Sequence, residues 1–234
     1  MMHQRLKDIC FEAISAVTLP SHYWHKTVGQ LNSDPGRQTH LHIGCGEKYL
    51  SGFVNVDANP RLRVDLWLDV RNGLPFRDGS VDSIYSTHML EHLYPDELQR
   101  VLQECFRVLR PQGGMRIIVP SLRSAFQAYS QGRLEWFPEQ FPRRFDSLGG
   151  RFANFMFCDG QHRTAFDFDH IAELLARAGF DPIEECGEGH SRLYGEKVPV
   201  YDPRDTRELP HSLYVEAFKG ANGRLLRRDL PEAA

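Results

Sequence analysis

The amino-acid sequence predicts an α/β domain built on a doubly wound sheet, and three observations carry this prediction. Short apolar strand candidates alternate with amphipathic helices along most of the 234 residues. The first strand candidate runs directly into two glycines one residue apart, Gly44 and Gly46. The fifth, residues 115–120, is continuously apolar at its centre, which is typical of a buried strand in a parallel sheet.

Each element is predicted from its own spacing pattern. The clearest helix covers residues 96–109, where Leu98 and Leu102 begin an apolar stripe. Pro111 and the glycines at 113–114 bring that helix to an end. The link between the second and third strands has only about six residues, fewer than the dozen that a parallel crossover needs. We therefore expect a turn in place of a helix there, or shifted strand limits. The strand candidates are 40–44, 53–57, 64–69, 81–86, 115–120, 182–186 and 212–218, and the other helices are 121–131 and 169–178.

The order of strands and helices divides the chain into three parts. Residues 1–39 are predicted to form an N-terminal helical extension, residues 40–220 the main domain and residues 221–234 a flexible tail. Within the main domain, residues 132–168 form an aromatic-rich insert after the fifth strand, and residues 187–211 form a second long link. Loops of this length usually act as lids or binding loops. We expect both to contribute to a substrate pocket and its lid.

Composition and charge exclude several classes of protein. The formal net charge of −3 gives no field that would favour non-specific binding to nucleic acid. No apolar run approaches the ~20 residues that cross a bilayer, and the N-terminus lacks the profile of a signal peptide. The five cysteines are odd in number and lack C-x-x-C spacing, which indicates reduced thiols. We expect a cytoplasmic protein without membrane or nucleic-acid partners, and the oligomeric state stays open.

The glycine pair and two strand-end aspartates indicate a cofactor that contains adenosine. Glycine has no Cβ, so Gly44 and Gly46 allow a sharp turn and the close approach of a ligand. Asp57 ends the second strand, where its carboxylate can accept hydrogen bonds from both hydroxyls of a ribose. Asp69 ends the third strand candidate. One such aspartate alone would suggest an ordinary turn, but two in succession after a glycine turn favour the cofactor.

Seven segments of the chain stand in the order found in one enzyme family. They are LHIGCG, VNVD, LDV, PFRDGSVDSIYS, HMLEHL, FRVLRPQGG and MRIIVP. Over about residues 41–218 the chain resembles the class I S-adenosylmethionine-dependent methyltransferases, in particular their small bacterial, type 11-like branch. The resemblance implies a Rossmann-like seven-stranded sheet, S-adenosylmethionine as the cofactor and a small-molecule acceptor.

The same resemblance implies a set of cofactor-binding residues at the ends of four strands. The chain departs from the family pattern at His42, where an acidic residue is usual, and at Lys48, where a third glycine is usual. In order along the chain, the implied residues are Gly44, Cys45 and Gly46 under the methionine part, Asp57 at the ribose, Asp69 and Val70 beside the adenine, and Ser86, Thr87 and His88 at the sulfonium end.

Three histidines are candidates for a base that takes a proton from the acceptor, because an imidazole titrates near neutrality. They are His88, His92 and His162, and the sequence sets no order among them. We expect methyl transfer to an oxygen or a nitrogen of a small molecule or a sugar.

Three other functions stay open at this point. His88, Glu91 and His92 match H-x-x-E-H, a zinc-hydrolase signature, but such a site needs a longer helix and a third ligand downstream. A nicotinamide-dependent oxidoreductase would share the glycine turn. Its glycine fingerprint contains a third glycine, which this chain lacks at the expected place. A catalytically silent cofactor-binding protein would carry the same motifs. Because the cysteines lack ligand spacing and H-x-x-E-H lacks its helix, we expect no metal site.

Overall fold

A seven-stranded mixed sheet runs through the protein, which the computed structural model describes at residues 9, 12–13, 15–16, 38–202, 205 and 208–221. Four α-helices lie in the described residues between 38 and 221. The strands are β1 (His40–Ile43), β2 (Val54–Asp57), β3 (Leu66–Trp67), β4 (Val81–Thr87), β5 (Leu109–Pro120), β6 (Ile183–Cys186) and β7 (Ser212–Phe218). The helices are α1 (Pro95–Val108), α2 (Leu122–Ser130), α3 (Leu148–Phe157) and α4 (Phe168–Ala178).

The strand order is β3-β2-β1-β4-β5-β7-β6, which confirms the predicted Rossmann-like sheet. Strands β1 to β5 pair in parallel, whereas β7 lies antiparallel to both β5 and β6. The chain reverses its direction of travel across the sheet between β1 and β4. In such sheets a crevice opens at this point, outside the carboxyl ends of the strands, and ligands bind there.

The largest differences from the predicted elements lie in β3 and β5. Strand β3 is only two residues long, and turns rather than a helix join it to β2, as the short link required. Strand β5 begins at Leu109, so Pro111 and the glycines at 113–114 lie inside the strand instead of in a loop. Glycine is needed there because a Cβ on Gly113 would lie 2.8 Å from the carbonyl oxygen of Asp82.

Helices α1 and α4 pack together on one face of the sheet and bury the main hydrophobic core. The apolar stripe predicted for α1 points into this core, and α4 adds a second stripe. The strands contribute alternate residues, such as the row formed by Leu41, Ile84 and Met115 on neighbouring strands.

The opposite face of the sheet carries a row of buried polar side chains. One register row crosses five strands, and all its members are buried: Asn55, His42, Tyr85, Arg116 and Glu216. Burial lowers the pKa of His42 to about 4, so this imidazole is neutral near pH 7. The hydrophobic cluster on this face draws partners from the β1–β2 link and from residues 186–201, and from none of α1 to α4. A loop therefore packs on this face near β1 and β4, and the links around β2 are too short to form helices there.

A buried ion pair fixes that covering loop to the sheet. Arg116 and Glu216, 0% and 1% exposed at their side chains, approach to 3.0 Å. Arg116 also donates hydrogen bonds to the carbonyl oxygens of Gly187 and His190, at 2.9 Å each. Glu216 accepts hydrogen bonds from the backbone N–H groups of Arg192 and Leu193, at 2.8 and 3.1 Å. Both side chains thus bind the loop as well as each other.

The aromatic-rich insert packs mainly against itself and α2. Trp136 and Phe137 form a second hydrophobic cluster with Met156 and with Leu209 of the β6–β7 link. The predicted N-terminal extension is helical at residues 9, 12–13 and 15–16, and otherwise lies outside the described residues up to position 37. The predicted tail lies outside them after residue 221. No described helix has the length and apolar character to cross a membrane.

We predict that Arg116→Met destabilises the protein strongly, because it leaves the Glu216 carboxylate buried without its cation. Removing one partner of a buried pair typically costs about 3–5 kcal/mol. The free energy of unfolding in urea measures the effect. Arg100→Met is the matched control, since Arg100 pairs with Asp96 on the surface, 3.6 Å apart, and should change little. Equal losses from both substitutions would contradict the structural role of the buried pair.

Candidate functional site

A cavity of about 440 Å³ opens at the carboxyl ends of the parallel strands. Its wall contains six of the nine cofactor-binding residues that the sequence analysis named. The three others are buried but are not part of this wall. Those on the wall are Gly44, Gly46, Asp57, Asp69, Val70 and His88, and those away from it are Cys45, Ser86 and Thr87.

The turn after β1 is left-handed at both glycines and is held by Asp57. Gly44 has a φ angle of +64° and Gly46 one of +53°, a region that residues with a Cβ rarely adopt. One carboxylate oxygen of Asp57 accepts a hydrogen bond from the Gly46 N–H at 2.9 Å. The other accepts from the Asn59 N–H at 2.8 Å. The strand-end aspartate thus fixes the glycine turn and also faces the cavity.

The two glycines differ in their surroundings. A Cβ on Gly44 would lie 2.2 Å from Cγ of Met89, so this glycine allows β1 and the segment after β4 to approach each other. A Cβ on Gly46 would meet nothing within 4 Å and would project into open space. Between them, the Cys45 N–H donates to the carbonyl oxygen of Val56 at 3.1 Å, and burial raises the pKa of the Cys45 thiol to about 12.

An arginine that the sequence analysis did not single out organises the far side of the cavity. Arg71 forms a bidentate ion pair with Asp69, whose side chain also caps the following 3₁₀ turn through the Arg71 N–H. The same guanidinium contacts Glu12 at 2.8 Å and Glu97 at 3.1 Å. The sequence offered one signal for this cluster, the Asp-x-Arg spacing at its centre. The other members of the cluster, Glu12 and Glu97, lie on helical segments that are distant from Arg71 in the sequence.

His88 lies on the cavity wall in a left-handed conformation, with a φ angle of +48°. Its Nδ1 atom is 3.1 Å from Oε1 of Glu91, and its Nε2 atom is 3.3 Å from Oγ of Ser212. The imidazole also packs on the Tyr201 ring, with ring centroids 4.7 Å apart. Three separate segments therefore fix one imidazole at the rim.

Glu91 is buried beside all three candidate histidines. Burial alone would raise its pKa, but the hydrogen bond from His88 and the nearby imidazoles hold that pKa below the ordinary value. The Nε2 atom of His162 lies 4.0 Å from Oε1 of Glu91, and the ring of His92 lies 5.0 Å from that of His162. Burial lowers the pKa of His162, against the opposing effect of Glu91. His92 lines the cavity, whereas His162 is not part of its wall.

The H-x-x-E-H segment is not a helix of the zinc-hydrolase kind. It begins at the left-handed His88 and continues into a 3₁₀ turn at Leu90–His92. His88 is held by Glu91 rather than directed with His92 at a common metal position. The zinc-hydrolase hypothesis is therefore not favoured, and neither is the nicotinamide-dependent one.

We predict that Gly44→Ala destabilises the fold more than Gly46→Ala does. Both substitutions place a Cβ at a positive φ angle, so the strain of the turn is common to them. Only the Cβ at position 44 meets Met89, and overpacking of this kind typically costs about 1–3 kcal/mol. Urea denaturation of the two variants measures the difference. Equal stability of the two would show that Met89 does not constrain the turn.

Comparisons with known proteins agree with this architecture. Residues 41–117 match the family described as a methyltransferase domain. A probable S-adenosylmethionine-dependent methyltransferase of Mycolicibacterium smegmatis is 33% identical over 167 residues, which cover 64% of this chain and 54% of the relative. One of Mycobacterium tuberculosis is 25% identical over 198 residues, which cover 77% of this chain and 61% of the relative. The chain thus spans little more than half the length of these relatives.

A solved structure gives the same fold. It is that of an S-adenosylmethionine-dependent methyltransferase of Thermotoga maritima, described as a possible histamine N-methyltransferase. The TM-score is 0.50 at 14% identity, over 92% of this chain and 95% of that one. At this identity the likeness concerns the fold alone. Together with the matched family, the seven-stranded sheet confirms the resemblance seen in the sequence: residues 41–117 are similar to a methyltransferase domain, and the sheet is that of the class I S-adenosylmethionine-dependent methyltransferases.

Proposed function

We propose that the protein transfers a methyl group from S-adenosylmethionine to an oxygen or nitrogen of a small-molecule acceptor. The observation that carries the proposal is the glycine turn held by Asp57, which opens on the cavity at the switch point of the sheet. This turn lies inside the segment that matches the methyltransferase domain. The M. smegmatis and M. tuberculosis relatives, described as methyltransferases dependent on this cofactor, support the same activity.

The residues of the cavity fit the adenosine part of the cofactor. Its volume of about 440 Å³ lies within the usual range for ligand pockets, ~300–1,000 Å³. Gly46 leaves open space that a side chain would fill. Each Asp57 oxygen accepts one backbone hydrogen bond, and a carboxylate oxygen has a further lone pair available for a ribose hydroxyl. Leu68 and Val70 supply the apolar surface for a base.

We propose a narrower role for Asp69 than the resemblance implied. Its two oxygens already accept hydrogen bonds from the Arg71 guanidinium and backbone N–H. We therefore assign polar contacts with adenine to the backbone around Val70, with Asp69 and Arg71 holding that backbone in place. Ser86 and Thr87, buried at the end of β4, would act at the sulfonium end by positioning the His88 backbone.

The acceptor would bind at the end of the cavity nearest His88. His92 lies on the same wall, and Gln161 and Arg163 bring the aromatic-rich insert to it. The β6–β7 link reaches the site through Tyr201, which packs on His88. These contacts support the expectation that the insert and the link together form the acceptor pocket and its lid.

S-adenosylmethionine supplies an already activated methyl group, so the protein must orient the acceptor and remove its proton. Glu91 accepts a hydrogen bond from Nδ1–H of His88, which leaves Nε2 as the basic atom. Ser212 lies 3.3 Å from that atom and holds the ring when no acceptor is present. Among the three candidate histidines, this geometry favours His88 as the base for a hydroxyl acceptor.

We predict that Asp57→Ala weakens binding of S-adenosylhomocysteine at least tenfold, about 1.4 kcal/mol. The substitution removes the ribose acceptor and also frees the Gly46 N–H from its partner. Isothermal titration calorimetry measures the affinity. Asp96→Ala is the matched control, because Asp96 is an exposed aspartate outside the cavity wall and should leave the affinity unchanged. Unchanged affinity in the Asp57 variant would remove the basis of the proposed cofactor site.

We predict that His88→Gln lowers kcat at least 100-fold for any hydroxyl acceptor, a typical contribution of a general base. Release of S-adenosylhomocysteine over a panel of phenol, sugar and amine acceptors provides the assay. The variant should bind S-adenosylhomocysteine within a few-fold of the unsubstituted protein. His170→Gln, at an exposed position on α4, is the control. Undiminished kcat in His88→Gln with a hydroxyl acceptor would assign the base to another residue.

A further inference from the structure

Two imidazoles and a buried carboxylate meet beside the cavity, on segments that are distant in sequence. They belong to Glu91, His92 and His162, and one potential ligand atom from each lies within 4.8 Å of the others. We propose that these three residues bind a divalent first-row transition metal ion of the zinc class. The site differs from the H-x-x-E-H pattern of the sequence, because His162 replaces His88 as the second imidazole. It also departs from the sequence-based expectation of no metal.

The first argument is the orientation of the two imidazoles. Nδ1 of His162 lies 2.9 Å from the carbonyl oxygen of Met156, and Nδ1 of His92 lies 3.3 Å from that of Gln161. A carbonyl oxygen can only accept a hydrogen bond, so each Nδ1 carries the proton. Nε2 of each neutral ring then presents a lone pair. Histidines that bind metals are commonly held in this way, with the other ring nitrogen donating to a backbone carbonyl.

The second argument is an unsatisfied buried oxygen. Glu91 is 1% exposed, and its Oε1 atom is held by His88. Its Oε2 atom is buried and has no hydrogen-bond partner among the described residues. Leaving such an oxygen unpaired costs more for a charged group than for a neutral one. A cation bound by this carboxylate would satisfy Oε2, and Nε2 of His162 already lies 4.0 Å from the neighbouring oxygen, Oε1.

The third argument is the chemistry of the ligand set. Two imidazole nitrogens and one carboxylate oxygen suit zinc and its first-row neighbours, whereas calcium and magnesium prefer oxygen ligands. Zinc–ligand distances of about 2.0–2.2 Å place tetrahedral ligand atoms about 3.4 Å apart. Because the three atoms lie within 4.8 Å of one another, the widest pair must close by up to about 1.4 Å on binding the ion. Three protein ligands leave a position open for water or an acceptor oxygen, and His92 places the site beside the cavity.

The test uses the full chain, purified without a histidine tag and stripped with a chelator. Equilibrium dialysis against Zn²⁺, followed by elemental analysis, should show one ion bound per chain. His92→Ala and His162→Ala should each weaken binding at least tenfold. Glu91→Gln, which keeps the size of the side chain, should do the same. With Co²⁺ as the probe, the unsubstituted protein should show the visible absorption of a low-symmetry nitrogen and oxygen site, and these variants should lose it.

His170→Ala is the matched control. His170 is exposed, its Nδ1 also contacts a backbone carbonyl, and it lies outside the cluster, so this variant should bind Zn²⁺ like the unsubstituted protein. Circular dichroism of each variant confirms that it is folded. Absence of binding, or equal binding by the folded His162→Ala protein, would overturn the proposal. Calorimetry with S-adenosylhomocysteine on the same samples tests the proposed cofactor site separately, because that site shares no ligand residue with the metal.

Discussion

The buried Glu91 carboxylate is the constraint on which the functional edge of this protein depends. A charge removed from water must find partners nearby, and the Glu91 carboxylate has His88 three residues before it and His162 on the insert. Its side chain holds His88, and its backbone carbonyl accepts hydrogen bonds from the N–H groups of Arg163 and Thr164, at 2.7 and 3.1 Å. The position of the rim imidazole and the attachment of the insert therefore follow from one residue.

A second buried charge pair governs the opposite face of the sheet. Ordinary parallel sheets bury apolar residues on both faces, but here Arg116 and Glu216 lie in the middle of one face. A helix presents side chains to a sheet, whereas a loop also presents its backbone N–H and carbonyl groups. The loop after β6 supplies those groups to the ion pair. This explains how a loop, rather than a helix, can cover that face.

The sequence was sufficient for the features that local chemistry determines. Strands β1, β2 and β4 and the left-handed turn at Gly44 could be predicted because spacing and glycine act over a few residues. The two-residue β3 could not be delimited, since the candidate at residues 64–69 also contains the apolar Val64 and Leu68 on either side of it. The polar second face had a visible signal, in His42, Tyr85 and Arg116 at inward positions of successive strands. Reading that signal required the register between strands, which only tertiary structure provides.

The two ends of the cavity also differ in how far local sequence determines their shape. The end assigned to the cofactor is made by the turn after one strand and the aspartate at the tip of the next, so the sheet itself determines its shape. The end assigned to the acceptor is made by His88 and His92 after β4 together with Gln161 and Arg163 of the insert, and the sheet does not constrain the insert. His162 reaches Glu91 only because the insert folds back across the strand ends. If the insert forms the acceptor pocket as we propose, changes in it would alter the acceptor while the cofactor site stays intact, and a sequence would then indicate the cofactor and leave the acceptor open.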